Sequence, residues 1–432
     1  MSAPSLPEVH RSVAVPAQAG FWRKLLAFSG PGFLVAVGYM DPGNWATDIA
    51  GGSAFAYRLL FVLLASNFVA VLLQTLAARL GIVAQQDLAQ ACRERYSRPT
   101  GVTLWVLAEI AIAACDLAEV IGSAIALNLL FHIPLLVGVC LTALDVLAIL
   151  YLQHRGFRYL EVVVVTLIGT IGACYLIEIL VVKPEIGGVA GGLLPSAQIL
   201  TNPGMLYIAI SILGATVMPH NLYLHSSLVQ TRAIERTPEG VRTAIRYNFI
   251  DIFGALNFAF LINAAILIMA AAAFYRHGLH HVAEIQDAYH TLSPLLGIPA
   301  ASLLFALALL CSGQNSTLTG TLAGQVVMEG FLDIRLAPWL RRLLTRLLAI
   351  VPAIIVVAFY GNAGTAQLLI LSQVVLSLQL SFAVFPLVRL TNSREKMGEF
   401  ANSTTVKILA WFVAIAIAAL NAYLLVTIFQ AW

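Results

Sequence analysis

Charged residues are scarce in this chain. Its 432 residues include 24 Lys+Arg and 21 Asp+Glu, so only 10% are charged, whereas 60% are hydrophobic. A soluble protein of this length carries about 25% charged residues, and the mean hydropathy of +0.89 excludes that class. Apolar stretches of roughly 20 residues recur along the chain, long enough to cross a hydrocarbon layer of about 30 Å. We therefore expect an all-α polytopic membrane protein.

Cysteine motifs and targeting signals are also missing. The five cysteines are odd in number, scattered and free of CxxC pairs, which argues against a disulfide framework and against a thiolate metal cluster. Residues 1–20 contain no apolar core of a signal peptide, so we expect residues 1–24 to form a disordered cytoplasmic tail. We expect no nucleic-acid partner, and the net charge of +3 is no evidence for one, because the basic residues fall in short loops between the spans. No obligate protein partner is evident either.

Hydropathy predicts about eleven spans within a single transmembrane domain, residues 25–432. The predicted spans are residues 25–52, 57–81, 102–130, 133–152, 159–182, 203–230, 247–275, 300–331, 337–359, 364–389 and 407–430. With this assignment and a cytoplasmic N-terminus, 21 of the 24 Lys+Arg fall on the cytoplasmic side, and only Arg58, Lys183 and Arg276 fall outside. That bias predicts that the N-terminus is inside and the C-terminus outside.

Two spans are interrupted at matching places. Span 1 contains Asp41-Pro42-Gly43-Asn44, and span 6 contains Met218-Pro219-His220. The two prolines are 177 positions apart, and the predicted starts of these spans, residues 25 and 203, are 178 apart. Spans 1–5 (25–183) and 6–10 (203–391) therefore resemble two inverted units that each open with a broken helix, while 407–430 forms an extra helix. This pattern predicts a LeuT-type transporter fold with a site at the breaks.

The two breaks offer ligands of mixed chemistry. A proline removes one N–H and frees the carbonyl four residues earlier, which is that of Gly38 for Pro42 and that of Ala215 for Pro219. Asp41 adds a carboxylate, Asn44 an amide and Met218 a thioether. Such a set suits a divalent cation, and the sulfur favours Mn²⁺, Fe²⁺, Co²⁺ or Cd²⁺ over Ca²⁺ and Mg²⁺. The alternatives are a buried ion pair for Asp41 and simple packing for Met218.

The same segments carry a family resemblance. "MDPGNWATDIAGG" and "GATVMPHNLYLHSSLVQTR" closely resemble the two signature segments of the Nramp family, in its bacterial proton-coupled manganese transporter branch. "DLAEVIGSAIALNLL", "LLCSGQNSTLTGTLAGQVVMEGF" and "LLILSQVVLSLQLSFAVFPL" extend the resemblance over nearly the whole chain. It implies that the metal ligands are Asp41, Asn44, Met218 and the carbonyls of Gly38 and Ala215, joined by Gln373 in the occluded state.

Span 3 carries a stripe of acids. Glu109, Asp116 and Glu119 stand at i, i+7 and i+10 and so share one helix face. The alternative to a proton route is a set of ion pairs with Arg341 and Arg342. The resemblance implies that Asp116, Glu119 and His220 take part in proton movement, with Arg341 and Arg342 on the inward side.

Together these features predict a secondary transporter, not an enzyme. We expect it to import Mn²⁺, and also Fe²⁺ or Cd²⁺, with protons across a bacterial inner membrane, with the metal as substrate and no resident cofactor. No GxxxxGK[ST] loop is present, so ATP is not expected as the driving force. The alternatives are a metal uniporter or channel without proton coupling, and an intramembrane metalloenzyme prompted by "HNLYLH". In that segment His220 and His225 lie about 140° apart around a helix, which does not build an HExxH-type zinc site.

Overall fold

The computed structural model describes residues 4–16, 19–144, 156–280, 282, 284–298, 300–334, 337–360 and 364–431. Helices dominate this part of the chain. In its first half they are α1 (Phe21–Phe28), α2 (Pro31–Gly38), α3 (Pro42–Phe55), α4 (Leu60–Ala84), α5 (Leu88–Arg95), α6 (Arg98–Phe131), α7 (Leu135–Leu141), α8 (Phe157–Val182) and α9 (Ile186–Gly192). Short 3-10 turns at Ala56–Leu59 and Thr142–Leu144 follow α3 and α7.

The second half is also helical. Its helices are α10 (Gln198–Thr201), α11 (Pro203–Thr216), α12 (Pro219–Leu228), α13 (Pro238–Ala273), α14 (Ile285–Leu296), α15 (Ala300–Leu332), α16 (Pro338–Tyr360), α17 (Thr365–Thr391), α18 (Arg394–Met397) and α19 (Thr404–Ala431). The 3-10 turns here are Val229–Thr231, Tyr275–His277 and Gly398–Phe400. Two short parallel strands, β1 (Val13–Ala14) and β2 (Arg232–Ala233), pair with Val13 opposite Arg232.

The number of spans stays a prediction. Eight segments of the described chain are long and apolar enough to cross a membrane, and they match predicted spans 2, 3, 5, 6, 7, 8, 10 and 11. Span 1 is divided among α1, α2 and α3, and α3 continues into span 2 as the segment Pro42–Ala84. Span 4 (133–152) runs past the described residues at 144, and span 9 contributes the shorter apolar segment Arg346–Phe359.

The first span begins later than hydropathy predicts. The predicted start was residue 25, but the buried helix α2 begins at Pro31, because Gly30 interrupts the chain with a φ of +137° that favours glycine. The preceding helix α1 is amphipathic and leaves Trp22 73% exposed. A short helix of this kind is typical of the membrane–water interface.

Residues 4–16 of the N-terminal segment differ from the disordered tail that the composition of residues 1–24 predicts. Ser5 Oγ donates to Asp87 Oδ2 at 2.6 Å, and the backbone N–H of Leu6 donates to Glu329 Oε2 at 3.1 Å. The Leu6 side chain is buried, and β1 adds the strand pairing with Arg232 and Ala233. The segment is therefore ordered by buried polar partners on α15 and just before α5, which a composition argument does not detect.

The long helices α6, α15 and α17 enclose the two broken helices. The helix α6 packs against both α15 and α17, α11 packs against α17, and α13 packs against α3 and α4. The helix α12 contacts α4, α15 and α17. The two breaks, between α2 and α3 and between α11 and α12, therefore lie inside the bundle.

Candidate metal site at the two helix breaks

The first break lies between Gly38, where α2 ends, and Pro42, where α3 begins. Asp41 is extended and caps α3, accepting from the backbone N–H of Asn44 at 2.7 Å. This is local chemistry that the sequence dictates, because Asp is a preferred N-cap and Pro a preferred first helical residue. The other carboxylate oxygen, Asp41 Oδ2, has no hydrogen-bond partner among the described residues, although the side chain is fully buried.

The free carbonyls of the first break are satisfied by distant side chains. Asn263 of α13 donates to the carbonyl of Tyr39 at 2.6 Å, and Ser312 of α15 donates to that of Met40. An unwound helix in a membrane interior needs such partners, because each unsatisfied backbone group costs several kcal/mol there. The Gly38 carbonyl instead accepts from Asn44 Nδ2 at 3.2 Å. It therefore points toward the polar side chains of the break.

The second break brings its carbonyl to the same place. The helix α11 ends at Thr216 and α12 begins at Pro219, with Met218 in extended conformation between them. The Ala215 carbonyl accepts from Asn44 Nδ2 at 3.1 Å. One amide of the first broken helix thus joins the two breaks directly.

Asn44 Nδ2 marks a point where three oxygens converge. It lies 2.8 Å from Asp41 Oδ1, 3.2 Å from the Gly38 carbonyl and 3.1 Å from the Ala215 carbonyl. An amide nitrogen carries two hydrogens, so it does not satisfy three acceptors at once. Its partial positive charge occupies the position that suits a cation. A half-turn of the side-chain amide would present Oδ1 to the same space, at the cost of the bond that Oδ1 accepts from Asn263 at 3.3 Å.

Met218 and Gln373 lie against glycines of the first break. A Cβ placed on Gly38 would be 3.1 Å from Met218 Sδ, and a Cβ placed on Gly43 would be 1.8 Å from Gln373 Nε2. Both side chains are fully buried, and Gln373 Oε1 has no hydrogen-bond partner among the described residues. The structure therefore brings together all six of the residues that the sequence predicts as metal ligands.

The donor set is mixed rather than acidic. No group of three or more His, Cys, Asp or Glu side chains suited to a metal occurs in the described part of the chain. A cation here would be held by one carboxylate, carbonyl and amide oxygens and one thioether. That combination suits a divalent transition metal.

The acids of span 3 face α15. A Cβ on Gly320 would be 2.9 Å from Asp116 Oδ1 and 3.1 Å from Glu119 Oε1, so both carboxylates meet at this glycine. The Cys115 thiol contacts Glu119 Oε1 at 3.6 Å. Cys115 also packs in one buried cluster with Met218, which connects the acid pair to the breaks. Glu109 is separate: it lies two turns earlier, is half-buried and accepts from Trp105 Nε1 at 3.0 Å.

Among the described residues, a cation that lies beside these acids is Arg346. Its Nη1 lies 3.6 Å from Glu119 Oε2, and its Nη2 donates to Thr317 Oγ1 at 3.3 Å. The side chains of Arg341 and Arg342, the predicted partners, lie outside the described residues. Arg346 is one helical turn after Arg342, and the sequence contained the signal, because it is a single arginine followed by an apolar stretch.

His220 opens α12 directly after the break. It is buried, and its Nδ1 has no hydrogen-bond partner among the described residues. The second histidine of the segment, His225, has a different environment: its Nδ1 pairs with Gln74 Oε1 at 2.9 Å, and Gln74 Nε2 donates to the Tyr39 hydroxyl at 3.0 Å. This chain of hydrogen bonds ties α12 to the first break through α4.

Two further buried acids escaped the sequence prediction. Asp48 lies one turn after Asn44 on α3, and Glu178 lies near the end of α8; none of their four carboxylate oxygens has a partner among the described residues. The rings of Trp45 and Tyr175, each three residues before one of these acids, contact edge to face at 5.0 Å. Asp48 was detectable, because the rule that an acid inside a span is functional applies to it as it does to Asp41.

The family model and the curated relatives indicate one family. Residues 32–427 match the model of the family described as "Natural resistance-associated macrophage protein-like", Nramp. The chain is 64% identical over 424 residues to the divalent metal cation transporter MntH of Listeria monocytogenes serotype 4a, covering 98% of this chain and 95% of that one. It is 62% identical to the MntH of Nostoc sp. strain PCC 7120, covering 99% and 97%. These relatives are named as transporters, which confirms the prediction of a transporter rather than an enzyme.

Solved structures agree. The crystal structure of the Eremococcus coleocola manganese transporter, in complex with an aromatic bis-isothiourea substituted compound, superposes with a TM-score of 0.90 at 44% identity, covering 97% of this chain and 90% of that one. Mhp1, a nucleobase-cation-symport-1 family transporter, superposes with a TM-score of 0.62 at 15% identity, covering 98% and 92%. This second likeness shows the fold alone. It confirms the LeuT-type architecture predicted from the paired breaks.

Proposed function

The chain belongs to the Nramp family, and on that premise we propose that it imports divalent transition-metal ions together with protons by alternating access. Mn²⁺ is the favoured substrate, with Fe²⁺ and Cd²⁺ as further ones. We further propose that the multi-pass chain resides in a bacterial inner membrane with its N-terminus in the cytoplasm; the Lys/Arg distribution supports this orientation.

The convergence of oxygens around Asn44 Nδ2 carries this proposal. Three oxygens, from Asp41, Gly38 and Ala215, surround that nitrogen at 2.8–3.2 Å, and one of them is anionic. A metal ion in the position of the nitrogen would replace the hydrogen bonds of the amide, and Asp41 would offer it a second oxygen, Oδ2, that has no hydrogen-bond partner among the described residues. The charge of the ion offsets the cost of keeping a carboxylate in the membrane interior.

Met218 supports a transition metal over Ca²⁺ or Mg²⁺. Its sulfur lies beside Gly38, one of the two residues whose carbonyls converge on Asn44 Nδ2. Thioether sulfur is a soft ligand, whereas Ca²⁺ and Mg²⁺ prefer oxygen alone. Gln373 of α17, which lies against Gly43, adds an amide oxygen that has no hydrogen-bond partner among the described residues.

The proton route follows the buried acids. Asp116 and Glu119 lie together at Gly320, and Cys115 links Glu119 to the cluster that contains Met218. Arg346 at 3.6 Å stabilises the charged form of Glu119, so a proton leaving this residue does not leave an unpaired buried charge. His220, with a free ring nitrogen next to the break, is the group that exchanges protons nearest to the metal.

Alternating access follows from the broken helices. The six ligand residues are shielded from solvent in the structure, so the ion enters and leaves only when helices on one side move. The backbone of the two breaks is extended at Asp41 and at Met218. A few such residues absorb large changes in φ and ψ, which suits them as hinges for α2 and α12.

The test is Mn²⁺ accumulation in proteoliposomes that contain a pH-sensitive dye. An inward proton gradient is expected to drive Mn²⁺ uptake against its own gradient while the interior acidifies. The Asp41→Asn variant is expected to show neither signal. Uptake that only dissipates a Mn²⁺ gradient, without any proton movement, would identify a uniporter or channel instead.

A further inference from the structure

A groove rich in arginine lies at the end of the bundle that carries the predicted cytoplasmic loops. It has a volume of about 460 Å³ and runs between α4, α13 and the turn Gly398–Phe400. Its lining includes Arg79, Arg242, Ile245, Arg246, Phe249 and Phe400. The transport site uses none of these residues.

The groove lies at the level of lipid headgroups. The helix α13 has 36 residues and is therefore about 54 Å long, longer than a hydrocarbon layer of about 30 Å. The amphipathic helix α1 indicates where along α13 the membrane–water interface lies. The rings of Phe21 and Phe28, on α1, contact Tyr247 of α13 at 5.5 and 5.6 Å. Arg246 is the neighbour of Tyr247 and so lies at the interface.

The groove carries excess positive charge. Arg242 pairs with Glu399 at 2.7 Å, but both side chains are largely exposed, and such a pair is weak. Arg79 donates to two neutral acceptors, the Phe400 carbonyl at 2.5 Å and Asn402 Oδ1 at 3.1 Å. The ion pairs recorded among the described residues give neither Arg79 nor Arg246 a carboxylate. Three guanidinium groups therefore face a single acid.

The groove turns apolar in the direction of the membrane. Arg242, Arg246, Phe249 and Phe253 follow one another at helical spacing along one face of α13. Phe249 and Phe253 are 44% and 50% exposed, and their rings lie 6.1 Å apart. The arginines lie at the headgroup level and the exposed phenylalanines follow them toward the membrane interior. This arrangement matches a molecule that has an anionic head and an apolar tail.

We propose that this groove binds an anionic phospholipid, with its phosphate among Arg79, Arg242 and Arg246 and an acyl chain along Phe249 and Phe253. Arginine is suited to phosphate because its guanidinium donates two parallel hydrogen bonds. Basic pockets between helices at the membrane surface are known to hold anionic headgroups in this way. A bound lipid would connect α4 and α13 to the turn that precedes α19.

The experiment is native mass spectrometry of the full chain, released from detergent after titration with dioleoylphosphatidylglycerol or dioleoylphosphatidylcholine. The wild type is expected to retain one phosphatidylglycerol in preference to phosphatidylcholine. The variant Arg242→Gln/Arg246→Gln is expected to lose affinity by about fivefold for each arginine removed. The control Arg95→Gln/Arg98→Gln removes two exposed arginines outside the groove and is expected to behave as the wild type.

Three results would overturn the proposal. Equal retention of the two lipids would show that the groove takes any lipid, and equal affinity of the groove variant and the control would place the lipid elsewhere. Displacement of phosphatidylglycerol by an equal concentration of inorganic phosphate would identify a free-anion site. Arg246→Gln alone breaks no recorded hydrogen bond, so it tests the charge with the fold intact, as the midpoint of thermal unfolding would verify.

Discussion

Replacing Gly43 by alanine is expected to remove Gln373 from the candidate metal site. The new Cβ would lie 1.8 Å from Gln373 Nε2 and 2.4 Å from its Cδ. These separations are far below van der Waals contact, so the whole side-chain amide has to move. The amide is fully buried, and it has to leave its position against Gly43, the residue before Asn44.

The size of the effect follows from the ligand that is lost. An interaction between a polar group and a charged one is worth about 1.5–3 kcal/mol, which corresponds to about 10- to 100-fold in metal affinity. Accommodating the methyl group costs a further 1–3 kcal/mol or so of stability. We therefore expect Gly43→Ala to raise the Mn²⁺ concentration for half-maximal uptake by about one to two orders of magnitude, with a modest fall in the unfolding midpoint.

A double-mutant cycle separates this mechanism from general damage. If alanine at position 43 acts through Gln373, adding Gly43→Ala to Gln373→Ala changes Cd²⁺ affinity by less than about twofold, as measured by calorimetry. Gly169→Ala on α8 is the matched control, because a Cβ there meets nothing within 4 Å. Full additivity of the two changes, or wild-type affinity in Gly43→Ala, would refute the placement of Gln373 at the site.

The remaining predictions concern the sulfur, the acid pair and the N-terminal segment. Met218→Ala is expected to let Ca²⁺ compete with Cd²⁺ in an uptake assay, an effect that would not appear if the sulfur only packs. Arg346→Gln leaves Glu119 as an unpaired buried acid; we expect a loss of about 3 kcal/mol in stability and less proton movement per Mn²⁺, and unchanged values of both would remove the pair from the proton route. Burial raises the pKa of Asp87 from its ordinary value of 3.8 to about 6. Folding therefore favours the protonated form of Asp87, and stability falls by about 2 kcal/mol as pH rises from 4 to 7. Thermal unfolding of Asp87→Asn is expected to depend less on pH over that range, and an unchanged pH dependence would contradict the shift.

The two breaks were predictable because proline chemistry is local. Pro42 and Pro219 remove helix hydrogen bonds wherever they stand in a span, and the structure ends and restarts a helix at each. The equal spacing of the two breaks then predicted an inverted repeat, which the likeness to Mhp1 supports at the level of fold. Asn44 donates a hydrogen bond to the carbonyl of Ala215, which lies 171 positions later in the sequence. This contact is expected once the two breaks are placed face to face.

Other features of the fold and the site depend on packing between helices, which a hydropathy profile does not describe. Arg346 lies beside Glu119 because α16 packs against α6; the sequence showed an arginine inside span 9 but not which helix that arginine faces. Helix α1 is separate from the rest of span 1 because Gly30 adopts a positive φ that interrupts the helix. Ser5 donates a buried hydrogen bond to Asp87, which lies 82 positions later in the sequence. Each of these outcomes rests on contacts between segments distant in sequence.

The metal site itself is tested most directly by X-ray absorption at the cadmium edge of the Cd²⁺-loaded protein. We expect one sulfur neighbour among oxygen neighbours in the wild type, and only oxygen neighbours in Met218→Ala. The control Met269→Ala removes another fully buried methionine, on α13, and is expected to keep the sulfur signal. A wild-type spectrum with oxygen neighbours alone, or a sulfur signal that survives in Met218→Ala, would contradict a site built from the two broken helices.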